Sequence, residues 1–421
     1  MSLITLFYRS IYTITGYKSS GRKGAQTKDE EVLVMEKVSG QKRKSRLRGW
    51  VFWPPFLVLL MVLILGFVSQ DAFLKVVNGV KDWIWGNFKW LFSGYGLAAV
   101  GVCFYACFSK FGNTVIGGKD AKPILGKFNW FAISLCTTIA AGLMFWAAAE
   151  PLYLMSDPSP FFDIEPNSPQ AAVFAMAQMY LHWGITPYAI YALAATVFAF
   201  TYYNMKKPFS LGACISPLLG ERATKGRLAD IIDALCIFIL CAGMSGSLST
   251  GAFSVAGGIS NITGIPTNGI MLIIVMAAII LVYTISASSG IMKGIKWLSS
   301  FNVYIFSFLI LFIFLFGPTK FILNFGVESV GELMDSFFMR NLFTDSMNLG
   351  NSSWSSLGNM KVGYWASYLA WAPVTALFLG KLARGYKIRD CIIINLFVPT
   401  VFSMIWVSIF GGTAIHMHMQ E

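Results

Sequence analysis

The chain has 421 residues, of which 56 % are hydrophobic and only 12 % are charged. Soluble domains are about one quarter charged, so this composition excludes an ordinary soluble protein. The net charge of +12 does not indicate a nucleic-acid partner, because the apolar residues leave no soluble domain to carry a basic surface. The seven cysteines show no spacing typical of a metal site.

The first 49 residues form a separate basic segment. They hold eleven Lys or Arg against four Asp or Glu, and five of the basic residues lie between Lys42 and Arg48. We interpret residues 1–49 as a cytoplasmic tail whose basic cluster contacts anionic lipid. Residues 50–421 then form one membrane domain.

Nine apolar runs follow this tail. A helix needs about 20 apolar residues to cross the hydrocarbon layer, and each run is about that long or longer. The runs occupy residues 51–69, 90–109, 130–155, 172–203, 230–256, 269–288, 298–317, 362–383 and 391–413. The pattern predicts an all-α, multi-pass membrane protein that interacts with the lipid bilayer through nine transmembrane helices.

Loop charges predict the orientation in the membrane. Basic residues recur in every second loop, whereas the 156–171 loop has three acidic residues and no basic one. The basic loops are 110–127, 206–227, 293–296 and 381–389. By the positive-inside rule, the N-terminus lies in the cytoplasm and the 318–361 loop lies outside. We therefore expect a protein of the cell membrane.

The third run is rich in small residues between Thr137 and Ala149 and ends in Glu150 and Pro151. Small residues let a neighbouring helix or a ligand approach the backbone closely, and simple helix packing explains them equally well. A carboxylate within a membrane span is a candidate functional group, although Glu150 is near enough to the span end to reach water. Pro151 is expected to break or kink the helix.

The fourth run contains His182, Trp183, Tyr188 and Tyr191. The three aromatic residues can line one curved face if Pro187 opens the backbone between them. A lone histidine near a span end is more often a hydrogen-bonded packing residue than a ligand or proton relay.

The fifth run begins with Asp230 and Asp233, which helix N-capping explains. Further on, residues 243–253 combine hydroxyl side chains with glycines. Such hydroxyls bond to the backbone or across to another helix, and they can also coordinate sodium. The later segment 326–340 is too short to span a membrane, and its apolar spacing predicts an amphipathic helix along the outer face.

The eighth run carries Tyr364, Tyr368 and Trp371 on one helical face, with Trp365 to one side. Rings in a place of low dielectric constant attract a cation such as a quaternary ammonium group. The alternative is an aromatic belt at the membrane interface, which any membrane helix can carry.

Five motifs, collinear over about residues 50–415, resemble the betaine/carnitine/choline transporter family. The motifs are Gly142–Pro151 (GLMFWAAAEP), His182–Tyr191 (HWGITPYAIY), Tyr364–Pro373 (YWASYLAWAP), Arg384–Asp390 (RGYKIRD) and Ile409–Ile415 (IFGGTAI). The resemblance implies an inverted-repeat (LeuT-like) secondary transporter fold of twelve helices, in which two N-terminal helices precede two repeats of five. The chain would then stop after the ninth of twelve expected helices.

The resemblance also implies a binding site for quaternary-ammonium or related zwitterionic solutes such as betaine, choline or carnitine. By motif, the substrate-binding residues are Trp183, Tyr188, Tyr191, Trp365, Tyr368, Trp371, Ala140, Gly142 and Met144. Sodium is the candidate coupling ion, with Ser247, Ser249 and Thr250 as candidate ligands. The family further suggests a homotrimer without a cofactor.

The chain departs from the family pattern at several of these positions. Two of three glycines expected in the third span are lost around Ala140, and Ser367, Tyr368 and Tyr188 stand where the family has tryptophan. The altered cage suggests a solute other than plain glycine betaine. A non-transporting remnant, or a membrane sensor or partner subunit, is the alternative function; no motif supports an enzyme.

Overall fold

The computed structural model describes residues 48–138, 140–288, 294–347 and 357–421. The predicted tail lies outside the described residues apart from Arg48 and Gly49. In the described part, all regular structure is helical, and Val115 and Lys387 form an isolated antiparallel bridge.

The helices are numbered here in chain order. They are α1 (Gly49–Val68), α2 (Gln70–Phe108), α3 (Lys127–Thr138), α4 (Ala140–Ser156), α5 (Pro169–His182), α6 (Ile185–Ala199), α7 (Gly212–Leu219), α8 (Arg227–Thr263), α9 (Gly269–Ser288), α10 (Lys296–Phe316), α11 (Thr319–Leu342), α12 (Leu357–Leu382), α13 (Ile388–Ile392) and α14 (Val398–His418). Single π-helical turns extend α6 and join α13 to α14.

Within the described residues, eight helical segments are long and apolar enough to cross a membrane, and the bent pair α3–α4 makes a ninth. The prediction of about nine apolar spans is therefore confirmed. The two halves of the third span meet at 55°. The bend precedes Gly142, and α4 continues through Pro151 to Ser156. Pro151 therefore does not break the helix, and the alternative of a kink there stays a prediction.

The fourth span is divided at Trp183 and Gly184, where α5 ends and α6 begins. A Cβ atom on Gly184 would lie 2.1 Å from the carbonyl oxygen of Tyr180, so the junction requires glycine. Pro187 does not open the backbone as predicted. It lies in the first turn of α6, where a missing N–H breaks no helical hydrogen bond.

The buried core centres on α5 and α6, which are covered almost throughout. Helices α12 and α14 pack against them. In contrast, α8, α9 and α10 expose many large apolar side chains. Such surfaces are expected of helices in contact with lipid.

The loops predicted to be cytoplasmic meet at one end of the bundle. Asn204 exchanges hydrogen bonds with the backbone of Val115 and Gly117, and Arg389 donates to the carbonyl of Cys107. The Val115–Lys387 bridge joins the same loops. The basic loops thus lie on the same side of the bundle, as the alternation of loop charges predicts. Which side of the membrane they face stays a prediction.

Two further expectations are settled by the structure. Arg48 forms ion pairs with Asp230 and Asp233, whereas the N-cap of α8 is Gly226 without a side-chain cap, so the capping interpretation is wrong. The helix predicted at 326–340 is confirmed within the longer α11. Its apolar face is divided, since Leu333 is buried while Met334 is exposed.

Candidate functional site

Four aromatic rings meet where the α5–α6 junction faces α12. The Trp183 ring lies 5.5 Å from Tyr364 and 6.2 Å from Tyr368, in edge-to-face arrangements. Tyr191 lies 5.0 Å from Tyr368. These four residues are called the ring cluster below. The helix break at Gly184 and the three-to-four-residue spacing along α12 bring them together.

The third span approaches the ring cluster through Gly142. A Cβ atom at this glycine would lie 3.1 Å from the Trp183 ring, which is tighter than ordinary van der Waals contact. The small residue thus lets the indole lie directly on the backbone of α4.

Glu150 lies beside the ring cluster and is fully buried, so the expectation that it reaches water is wrong. Its carboxylate accepts hydrogen bonds from the Trp183 indole at 3.1 Å and from the Tyr364 hydroxyl. Nδ1 of His182 lies 2.5 Å from the other carboxylate oxygen. A buried carboxylate requires such partners, and here each partner orients a ring.

His182 connects this carboxylate to the next polar groups. Its ring stacks on Tyr364 at 4.3 Å, and its Nε2 lies 2.8 Å from the Gln178 amide nitrogen. If the amide nitrogen donates, Nε2 accepts and Nδ1 donates to Glu150. His182 is therefore a hydrogen-bonded buried residue, as expected from the sequence.

The polar chain continues to helix α11. Arg340 is fully buried, donates to Gln178 at 3.2 Å and pairs with Glu332 at 2.7 Å. Its guanidinium also lies 4.6 Å from the Phe174 ring. Burial lowers the pKa of Arg340, and the Glu332 carboxylate acts in the opposite direction.

Lys361 fastens the end of α11 to the start of α12. Its buried ammonium donates to the carbonyls of Arg340, Asn341 and Phe343 at 3.1, 2.8 and 2.5 Å. A lysine at a helix C-terminus satisfies carbonyls that have no partner within the helix. Helix α11 is thereby joined to the helix that carries Tyr364 and Tyr368.

Several of these groups were not among the predicted binding residues. Tyr364 belongs to the predicted aromatic stripe, but its bond to Glu150 depends on a contact across 214 positions of the chain. Arg340 and Lys361 are two of the three basic residues in the otherwise acidic 318–361 segment. That contrast is the signal by which they could have been singled out.

A model of the betaine/carnitine/choline transporter family matches residues 50–421, which is nearly the whole described part of the chain. This chain belongs to the betaine/carnitine/choline transporter family.

Curated relatives agree with this membership. The glycine betaine transporter OpuD of Bacillus subtilis is 30 % identical over 372 residues, covering 88 % of this chain and 71 % of the relative. The betaine/ectoine transporter LcoP of Corynebacterium glutamicum is 30 % identical, covering 91 % and 60 %. The osmo-dependent choline transporter BetT2 of Acinetobacter baylyi is 29 % identical, covering 89 % and 53 %.

The other aromatic residues expected from the family motifs face different neighbours. The hydroxyl of Tyr188 lies 2.7 Å from that of Ser403 in α14. Trp365 is fully buried, with Nε1 3.2 Å from the position of a Cβ on Gly96 in α2. Trp371 lies against Gly243 in α8, where the corresponding separation is 3.4 Å.

The remaining predicted residues are more dispersed. Met144 is 47 % exposed, on a face of α4 away from the core, and the side chain of Ala140 lies outside the described set. In α8, the hydroxyls of Ser249 and Thr250 donate to the carbonyls of Ser245 and Gly246 in their own helix. Ser247 is half-buried on the same helix.

Proposed function

We propose that the ring cluster binds the cationic group of a quaternary-ammonium or related zwitterionic solute, and that the chain serves secondary transport of that solute. The observation that carries the proposal is a set of four contacting rings, two of which, Trp183 and Tyr364, donate hydrogen bonds to a fully buried carboxylate. A desolvated cation over an aromatic face gains about 2 kcal/mol or more. The negative charge of Glu150 favours a cation in the same place.

The relatives support this class of solute. Their names specify glycine betaine, ectoine and choline as transported compounds. All three carry a cationic group, and the aromatic side chains available here suit such a group.

Binding requires a movement of the rings. Their centroids are 5.0 to 6.2 Å apart, so neighbouring rings contact one another. A cation is attracted within about 6 Å of a ring centroid, and a methylated ammonium group must separate the rings to lie among them. Since Tyr368 is on α12 and its neighbours are on α5 and α6, opening the cluster means moving α12 against the α5–α6 junction. Movement of one helical unit against another is how inverted-repeat carriers expose a central site.

Sodium coupling, the homotrimer and the cytoplasmic N-terminus stay predictions from loop charge and family resemblance. The hydroxyls of Ser249 and Thr250 bond to their own helix, and these bonds do not decide between helix packing and sodium coordination. A hydroxyl oxygen that donates a hydrogen bond still has lone pairs for an ion.

The direct test is to replace Trp183 by leucine. Losing one desolvated cation–π contact of about 2 kcal/mol weakens binding roughly thirty-fold. Because Trp183 also donates to Glu150, Trp183→Phe separates the two roles, since it keeps a ring and loses only the N–H. We expect Trp183→Phe to weaken binding less than Trp183→Leu.

The measurement is equilibrium binding of glycine betaine, choline and carnitine to the purified full chain, followed by uptake into liposomes. Trp297, which is 68 % exposed on α10, supplies the matched control, and Trp297→Leu should leave affinity unchanged. If no such solute binds to the wild-type chain, the proposed function is wrong and the non-transporting sensor or partner role is favoured.

A further inference from the structure

Tyr368 has a buried hydroxyl without a hydrogen-bond partner among the described residues. The residue is only 5 % exposed, and its ring lies 6.2 Å from that of Trp183 and 5.0 Å from that of Tyr191. Nearby tyrosines are different, since the hydroxyls of Tyr188 and Tyr364 bond to Ser403 and Glu150. Among the described residues, Tyr368 is thus the ring-cluster residue with a fully buried hydroxyl that has no partner.

A buried hydroxyl without a partner destabilises a protein, and such groups call for an explanation in terms of a ligand, an ordered water or strain. Phenylalanine would provide the same ring at this position without that cost. The location in the middle of the proposed cation site points to a ligand that completes the bond.

Of the two ends of a zwitterionic solute, the cationic end is the one that the charge of the site places beside this hydroxyl. Glu150 contacts two members of the ring cluster, Trp183 and Tyr364, so its charge repels a solute carboxylate from the cluster and attracts a cation. A fully methylated ammonium group has no N–H to offer. An incompletely methylated ammonium or an amidinium carries an N–H that donates a charge-assisted hydrogen bond to the phenol oxygen.

We propose that Tyr368 is a specificity-determining residue whose hydroxyl accepts a hydrogen bond from an N–H on the solute's cationic group. The preferred solutes are then zwitterions with an N–H-bearing ammonium or amidinium, and fully quaternary solutes bind less well. This inference rests on the proposed function of the ring cluster. The tryptophan that the family motif has at this position only donates, so it cannot accept that N–H.

The test compares two ligands that differ by one methyl group, N,N-dimethylglycine and trimethylglycine. Near neutral pH both are zwitterions, and only dimethylglycine carries an N–H on its cation. We expect the wild-type chain to bind dimethylglycine more tightly. Tyr368→Phe should weaken dimethylglycine binding about tenfold or more, as expected for a hydrogen bond to a charged group, while trimethylglycine changes less than about twofold.

Two further variants separate this role from a structural one. Tyr180→Phe removes a hydroxyl that is bonded to Ser408, outside the ring cluster and the predicted binding residues, and should not alter the ratio of the two affinities. Tyr368→Trp restores a donor and should favour trimethylglycine. Without ligand, Tyr368→Phe should unfold at the same temperature as the wild-type chain or a higher one, because it removes an unpartnered buried group.

The outcomes distinguish the inference from the proposed function. If neither ligand binds to the wild-type chain, the proposed function fails. If both bind and wild type prefers trimethylglycine, or if Tyr368→Phe changes both affinities equally, the ring cluster still binds cations but the role of Tyr368 is wrong. If a variant does not fold, the relative affinity of the wild-type chain for dimethylglycine and trimethylglycine decides whether the proposed role of Tyr368 stands.

Discussion

The ring cluster and the hydroxyl-rich run of α8 at residues 243–253 are the two regions whose sequences most resemble binding sites. They differ in whether their polar groups bond to other helices and in how far they are buried. In the ring cluster, polar atoms bond between helices and Glu150 is fully buried. In α8, Ser245, Ser249 and Thr250 bond to carbonyls of their own helix, and the two serines are exposed while Thr250 is half-buried. Polar and aromatic side chains that resemble a binding site in the sequence are thus held in a fixed arrangement only where neighbouring helices bury them.

The largest effect is expected from removing the buried carboxylate. Glu150→Ala leaves Trp183, Tyr364 and His182 without their common acceptor. Removing one partner from a buried, hydrogen-bonded charged pair lowers the free energy of unfolding by about 3 kcal/mol or more. We expect a large fall in the thermal unfolding temperature in detergent and loss of solute binding.

Glu328→Ala is the matched control, because Glu328 is exposed on α11. Surface changes of this kind alter stability by about 0.5 kcal/mol or less. Equal unfolding temperatures for the two variants would show that the network around Glu150 does not hold the ring cluster in place.

The next effect concerns the helix break that places Trp183. Gly184→Ala brings a Cβ within 2.1 Å of the Tyr180 carbonyl oxygen, so the backbone must move. Strain of this kind costs on the order of 2 kcal/mol, and we expect lower stability together with weaker solute binding.

Gly246→Ala makes the same change in the α8 run. A Cβ at Gly246 meets no atom of the described residues within 4 Å. Alanine is favoured over glycine inside a helix by about 1 kcal/mol, so this variant should be as stable as wild type or more so. Destabilisation by Gly246→Ala would mean that α8 is covered by a neighbour in the membrane, and the contrast between the two regions would disappear.

The smallest effect is expected at Ser249. Its hydroxyl bonds to the Ser245 carbonyl of its own helix, so Ser249→Ala should change stability by less than about 0.5 kcal/mol. The informative measurement is solute binding at varied sodium concentration. A loss of sodium dependence at unchanged stability would support the predicted role of this hydroxyl as an ion ligand and give α8 a binding function after all.

Part of the candidate site could be predicted from the sequence. The spacing of Tyr364 and Tyr368 follows from the helical repeat, so their shared face could be predicted. The bond that joins Tyr364 to Glu150 could not, because it depends on how α4 packs against α12. The sequence predicts an opening at Pro187, because proline lacks a helical N–H donor. The decisive constraint is instead the close approach of Gly184 to the Tyr180 carbonyl.

By itself, the sequence determined the all-helical class, the positions of about nine apolar spans and the family. The reason is that a membrane span is a local property: the hydrocarbon layer demands about 20 apolar residues whose backbone bonds within the segment. Only the tertiary structure decided which rings meet Trp183, that Glu150 is buried, and that the Tyr368 hydroxyl has no partner among the described residues. These features depend on contacts between distant helices, where a rotation by one residue, about 100°, turns a side chain from its partner towards lipid.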